Sequence, residues 1–433
     1  MSSTNSPIDP TNRASWFERG SKFALPLVLL LCAIGFAGFY GRHYPVGEWL
    51  FWRYAGYWLA CVFWSLGCVS TGYVIVGGLG GADRPALETL CLSFASGVVV
   101  FYLAMNALGA VHGLHATTFF VLPATMIAVG ARPAWRFGRQ SLEQFREQRS
   151  RGEPLSPLQI AIWAFGFLVL AMIYFKILTP ENAQFDSRWK HLALAEQYAH
   201  VGFIPRFGEG WTVATNPHLA SILYTWAFLL PNAKLFDQVE LAAHMELTCL
   251  LWTLATIPAA VRLLVPGSRA SSSWVARFLF PGILLYDSSL ACGADHIAAL
   301  FALPIFICML RALPDLAPGR CALLGLMMAG AAMPKLTAAI FLVPGPAVAV
   351  AAVFVWRSAR DQRLLWKGPA AATATALGAT AFFWLRNWIW HGDPIYPSLH
   401  QYLSLRPWTP DSANLFEWGY KNFQFWRPAA GWE

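Results

Sequence analysis

The densest run of chemistry-bearing side chains lies between Glu181 and Tyr198, in the order Glu-Asn-Ala-Gln-Phe-Asp-Ser-Arg-Trp-Lys-His-Leu-Ala-Leu-Ala-Glu-Gln-Tyr. Asp186 stands just ahead of Arg188, Lys190 and His191. A carboxylate in such a place would act as a general base, taking a proton from an acceptor hydroxyl or amine. The basic side chains would hold a phosphate leaving group, Arg188 with a two-pronged fork. The same spacing has a plainer reading. Asp186 is a good helix N-cap, and Asp186 and Lys190 are spaced as a helical ion pair. Both readings stand at this level. Trp189, Leu192, Ala195 and Ala199 follow a helical period, so a short interfacial helix is expected to begin near Ser187.

Three further features carry polar chemistry. Pro217 and His218 open the short apolar stretch 219–230, as a shaped cleft or as an ordinary helix start. His244, Glu246, Asp287, Asp295, His296 and Lys335 fall in or beside apolar runs, where an ionisable side chain is costly and hence a functional candidate. Lys335 would neutralise a lipid phosphate or simply extend its ammonium to the interface. His244 and Glu246 are two apart, do not share a helix face, and carry less weight. Arg386 precedes a Gly-Asp-Pro turn (Gly392 to Pro394) at the depth of a lipid headgroup.

The elements that must position these residues are membrane helices. Of 433 residues, 57% are hydrophobic and 12% charged, with a mean hydropathy of +0.46. Soluble chains carry about 25% charged residues, and a water-soluble globule needs a polar skin. About 20 apolar residues span a bilayer. The runs predict an all-α, polytopic bundle of about eleven spans: 23–40, 54–77, 87–110, 116–131, 157–178, 239–263, 276–291, 295–312, 321–338, 339–356 and 369–390. Trp49, Trp52, Trp135, Trp356, Trp388 and Trp390 sit at run ends, as in an interfacial belt. The net charge of +8 comes from arginines between runs and reads as a topology signal, not a nucleic-acid surface. The Gly77–Asp83 segment lacks the Lys-Ser/Thr of a phosphate loop and reads as a turn. No cysteine pair or His/Cys cluster has zinc spacing, and nothing supports a divalent metal or other cofactor.

Loops rich in Lys and Arg stay in the cytoplasm. The strongest, Arg132 to Arg151, makes 157–178 an outward-going helix and the N-terminus cytoplasmic. The stretch 219–230 is short for a span. If it does not cross, Arg262, Arg269, Arg277, Arg311, Arg320, Arg357, Arg360, Arg363 and Lys367 all fall inside, and this choice is taken. The long polar segments 179–238, with its juxtamembrane helices, and 386–433 then meet on the outer face, with the C-terminus periplasmic. The chain divides into a four-span block with an Arg-rich cytoplasmic loop (1–150) and a core holding the chemical clusters (151–433).

Arg386 to Pro397, Arg-Asn-Trp-Ile-Trp-His-Gly-Asp-Pro-Ile-Tyr-Pro, resembles the "RN…tGNPvyP" signature of bacterial multispanning glycosyltransferases of the GT-C superfamily. Phe185 to Ala199 is similar to the first outer loop of those proteins, and Pro217 to Leu230 to the proline-led helix that follows it. Asp295 matches an Asp opening a later span, and Lys335 a Lys-[Tyr/Leu]-Thr-Ala position. The resemblance covers roughly residues 157–397. Lys190 replaces a usual Tyr, Asp393 a usual Asn, and no Asp-x-Asp occurs.

The resemblance implies glycosyl transfer on the outer face of a bacterial inner membrane. The donor would be a polyprenyl-phosphate sugar, and the acceptor a lipid, glycan or protein. Asp186 would be the base, with Arg188, Lys190, His191, His218, Asp295, Lys335 and Arg386 binding substrate. The alternatives are a transporter or flippase of a lipid-linked substrate, and a non-catalytic envelope assembly protein.

Overall fold

A computed structural model describes residues 10–81, 84–150, 156–178, 187–209, 211–266, 272–277, 279, 292–400, 402–403 and 409–421. Asp186, Glu181 and Asp287 lie outside the described residues, as does most of the expected span 276–291. Among the described residues the chain is helical, without a strand. The main helices are α1 (Pro10–Tyr40), α2 (Leu50–Gly80), α3 (Ala86–Ala110), α4 (Ala116–Ser150), α5 (Pro157–Ile177), α6 (Leu192–Val201), α7 (Leu219–Phe228), α8 (Leu235–Leu264), α9 (Asp295–Ala312), α10 (Pro318–Ala332), α11 (Leu336–Leu342), α12 (Pro344–Arg360), α13 (Lys367–Ala379), α14 (Ala381–His391) and α15 (Pro410–Lys421).

Six of these stretches are long and apolar enough to cross a membrane: α2, α3, α5, α8, α9 and the run from α11 through α12. The apolar part of α1 (Pro26–Tyr40) and α7 are shorter. The expected number of about eleven spans is therefore not reached among the described residues. The expected span 339–356 falls within the run from α11 through α12, interrupted only before Pro344, whereas 369–390 is broken at Thr380. The Arg-rich stretch after residue 131 is not a loop, because α4 runs on through it to Ser150.

The chain forms two compact units, Met1–Leu59 and Ala60–Glu433, whereas its polar content divides near residue 150. In the first unit α1 presents Leu27, Leu29, Leu31, Ile34 and Phe39 outward, and a 3-10 turn (Val46–Glu48) leads into the start of α2.

In the second unit α3 and α8 form the centre. α3 packs on α7, α8, α9 and α10, and α10 packs most extensively on α13. Small residues permit this. A Cβ on Gly72 would overlap the Ser93 carbonyl, one on Gly97 the Cys68 carbonyl, and one on Gly325 the Ala372 carbonyl. Close approach at glycine is how helices gain packing where lipid removes the hydrophobic drive. α5 and α12 are apolar all round yet mostly uncovered, with Phe167, Leu168, Phe175, Val348 and Val355 exposed. Water would not tolerate such faces, and hydrocarbon does.

The second unit has two distinct ends. At one, Gly319 abuts Leu79, Gly368 abuts Leu316, and Arg311 meets Glu88. Arg84, Arg311 and Arg320 lie there, and α8 and α12 carry Arg262, Arg357 and Arg360 in their last turns. At the other end the Leu114 amide donates to the Gly202 carbonyl (3.0 Å), Leu219 to Met333 (3.0 Å), and Lys335 pairs with Asp295 (3.1 Å). This second end holds α6, α7 and the start of α9.

Candidate functional site

The site is built where the chain returns on itself after α5. Ser187–His191 forms a π-helical turn that runs into α6, so a helix does begin at Ser187. Its buried face is Ser187, His191, Leu194, Ala195 and Tyr198, while Trp189 faces outward. Gly202, at φ 79°, ends α6 in the left-handed region, where a Cβ is penalised. A short 3-10 turn, Thr212–Thr215, then leads to Pro217, His218 and α7, whose ten residues are all buried.

His191 Nδ1 lies 3.2 Å from Ser221 Oγ and ties the π turn to α7. His218 Nε2 donates to the Ala214 carbonyl at 2.5 Å. A carbonyl only accepts, so Nε2 carries the proton. Burial, and then the Arg386 charge, hold the His218 pKa well below its ordinary 6.5. The neutral ring therefore leaves Nδ1 as a bare acceptor, buried and without a partner among the described residues. The Tyr198 ring stands edge-on to His218 at 6.3 Å, and burial pushes its hydroxyl up to about 12.

Arg386, on α14, reaches the same carbonyl: Nη2 donates to Ala214 O at 3.4 Å, and the guanidinium lies 5.5 Å from the Trp390 ring centre. Arg386 Nε is buried and donates to nothing among the described residues. Next to it, Asn387 Nδ2 donates to the Thr215 carbonyl at 2.8 Å. Arg206 donates to the Trp390 carbonyl. The segments expected to meet do so.

The Gly-Asp-Pro turn is held by Asp393, which is fully buried. One carboxylate oxygen accepts from the Ile395 amide (2.9 Å) and the other from the Leu399 amide (2.8 Å). Two acceptor oxygens suit this turn, where an Asn would offer one. Glu209 accepts from the Thr409 amide (2.6 Å), the Thr409 hydroxyl (2.6 Å) and the Ser412 hydroxyl (2.8 Å), and fixes the start of α15. These bonds lower its pKa from 4.5. Between these segments a cleft of about 580 Å³ is lined by Asn216, Pro217, Leu336, Phe383, Tyr396 and His400, among others.

The structure thus brings His191, His218 and Arg386 together, with Lys190 close enough to act on His218. Arg188 is exposed. Asp295 and Lys335 pair with each other in a partly exposed bridge, and Leu336, next to Lys335, lines the cleft. Asp186 is outside the described residues but is bonded directly to the buried Ser187. Sequence reasoning missed Arg206, Glu209 and Asn387, since their partners lie 172 to 203 residues away. Among the described residues no three metal-binding side chains come together. No protein-family model, curated protein or solved structure matches the chain.

Proposed function

We propose that this chain is a membrane glycosyltransferase of the GT-C kind, moving a sugar from a polyprenyl-phosphate donor to an acceptor hydroxyl or amine. The observation that carries the reading is a pair of side chains that share the Ala214 carbonyl and each keep a second, buried polar atom without a partner among the described residues: Arg386 Nε, a donor, and His218 Nδ1, an acceptor. A ligand bearing both an anion and a hydroxyl, such as a sugar phosphate, satisfies both. Unmet, each group carries a desolvation penalty of about 1–3 kcal/mol or more.

In this reading Asp186 removes the acceptor proton. The acceptor atom bonds to the anomeric carbon as the bond from that carbon to the phosphate oxygen breaks. The electron pair leaves on the polyprenyl phosphate, whose growing charge meets Arg386 and Lys190. The arginine-rich end of the second unit is opposite the site, and by the positive-inside rule this supports reading the site as facing the outer side of an inner membrane. The candidate site lies at one end of the helices and not at mid-depth, where a transporter would hold its substrate.

Two variants test it. Asp186→Asn should insert normally and still bind a polyprenyl phosphate, yet lose sugar transfer by about 10²–10⁴-fold in isolated membranes. Full transfer in that variant removes Asp186 as base. Undiminished polyprenyl-phosphate binding in Arg386→Met removes the site itself.

A further inference from the structure

We propose that the first compact unit holds a binding pocket for the ammonium headgroup of a membrane phospholipid, walled by four aromatic rings and closed by Glu48. The cavity, about 440 Å³, is lined by Phe36, Tyr40, Tyr44 and Trp49 together with Pro45, Glu48 and Leu50. It is independent of the transferase reading and uses none of its residues.

The walls are set by local structure. α1 ends at Tyr40, and the chain turns back through Gly41 N–H to Ala37 O (2.8 Å) and His43 N–H to Tyr40 O (3.0 Å). The 3-10 turn that follows carries Glu48 and Trp49 back to α1, where Trp49 stands at 73° to Phe36 with centroids 6.0 Å apart. Phe36 and Tyr40 rings lie 4.3 Å apart. Trp49 Nε1 donates to the Tyr44 carbonyl (3.0 Å) and Trp52 Nε1 to the Val46 carbonyl (2.7 Å). Both indole N–H groups are thus engaged within the turn, and these rings have no polar edge left to turn to a headgroup. Of the lining aromatics, Phe36 and Trp49 therefore offer only ring, while Tyr40 and Tyr44 add hydroxyls that can accept from an ammonium.

Ring faces are electron-rich and attract an alkylammonium within about 6 Å. Glu48 is exposed, makes no ion pair among the described residues, and supplies the opposite charge beside them. A cation fits where an anion would be repelled. The source is lipid because the helix that supplies Phe36 and Tyr40 is itself apolar and exposed: Leu27, Leu29, Leu31, Ile34 and Phe39 are uncovered along α1, where acyl chains lie when a headgroup sits at its end. Arg42 and His43 follow Tyr40 in the same turn and suit the phosphate next to the ammonium.

The full chain, purified in detergent, is titrated with phosphatidylethanolamine and with phosphatidylglycerol of the same acyl chains, and bound lipid is counted by native mass spectrometry. Phosphatidylethanolamine should bind in preference. Glu48→Gln and Tyr40→Leu should each reduce that preference about two- to fivefold, while Trp356→Leu, in the other unit, leaves it unchanged. Circular dichroism checks that the variants are folded, and Tyr44→Leu replaces Tyr40→Leu if the latter is not. Equal binding of the two lipids, or an unchanged preference in Glu48→Gln, overturns the proposal. Displacement of the lipid by free ethanolamine at matching concentration overturns the lipid assignment, leaving a soluble ammonium as the ligand.

Discussion

Arg311 and Arg386 are the same side chain at opposite ends of one bundle, and they are used in opposite ways. Arg311 meets Glu88 with two bonds, Nε to Oε1 at 3.1 Å and Nη2 to Oε2 at 2.8 Å, and Arg84 adds a third contact at 3.6 Å. Glu88 is buried, and its charge is answered by the protein. Arg386 has no carboxylate partner among the described residues; it has a long bond to a carbonyl, an aromatic face, and a buried Nε with nothing to donate to. One end is closed electrostatically and the other is left open. An ion pair completed by the protein fixes helices, whereas a buried donor kept incomplete is a place for a ligand.

The sharpest way to break this contrast is Arg386→Met. Sugar transfer should fall by about 10²–10³-fold, as when a donor to transition-state charge is removed. Melting temperature in detergent should hold or rise, since an incompletely paired, part-buried charge is removed. Loss of fold together with activity would make Arg386 structural and erase the difference between the ends.

Glu88→Gln attacks the closed end. It leaves Arg84 and Arg311 uncompensated, at a cost of about 3 kcal/mol by denaturant unfolding, the low end of the usual range because the Arg311 side chain is 30% exposed. Any transfer lost should follow the unfolded fraction. An effect on transfer without one on stability would put the chemistry at the wrong end.

A pH series gives a smaller effect. Burial, then Arg206 and Arg386, hold His391 down to about 4 from an ordinary 6.5. In that window the unfolded chain binds a proton that the folded one refuses. Stability is therefore complete above pH 6.5 and is lost as pH falls towards 4. His391→Gln should make the slope of melting temperature against pH shallower there, and an unchanged slope would show that His391 protonates freely in the folded chain.

The smallest effect belongs to Glu209→Gln, which weakens the bonds to Thr409 and Ser412. Hydrogen exchange at residues 409–421 should quicken while the melting temperature stays put. Protection unaltered in this variant would mean that α15 is held by other contacts.

How much of this was legible in the sequence depends on separation along the chain. The apolar runs that became α3, α5, α8 and α9 were readable, because a span is a local property of about 20 residues. The start of a helix at Ser187 was readable for the same reason. So was the gathering of arginines, since Arg262, Arg311 and Arg357 each follow an apolar run. The Arg-rich stretch after residue 131 misled, because charge density was taken for a loop when arginine is a good helix former and α4 simply continues. Glu88 and Arg311 are 223 residues apart, and Asp295 and Lys335 are 40 apart; no local pattern announces such pairs. Glu246 was discounted for not sharing a face with His244. Its partners are instead His296 (3.2 Å) and the Cys292 amide (2.7 Å), on a different segment.

α7 has one more consequence, for biogenesis. At ten residues it is roughly 15 Å long, about half the thickness of the hydrocarbon layer. An insertion machine that reads hydropathy over a full span has no reason to place it in the bilayer. Yet every one of its residues is buried, and its Trp226 ring stacks on Phe119 at 4.3 Å and donates to the Phe119 carbonyl. It comes to rest chiefly against α6 and α8, with α3 and α4 beside it, and α8 is made after it. During synthesis α7 can therefore meet α6, made just before it, but its cradle is finished only when the next helix follows.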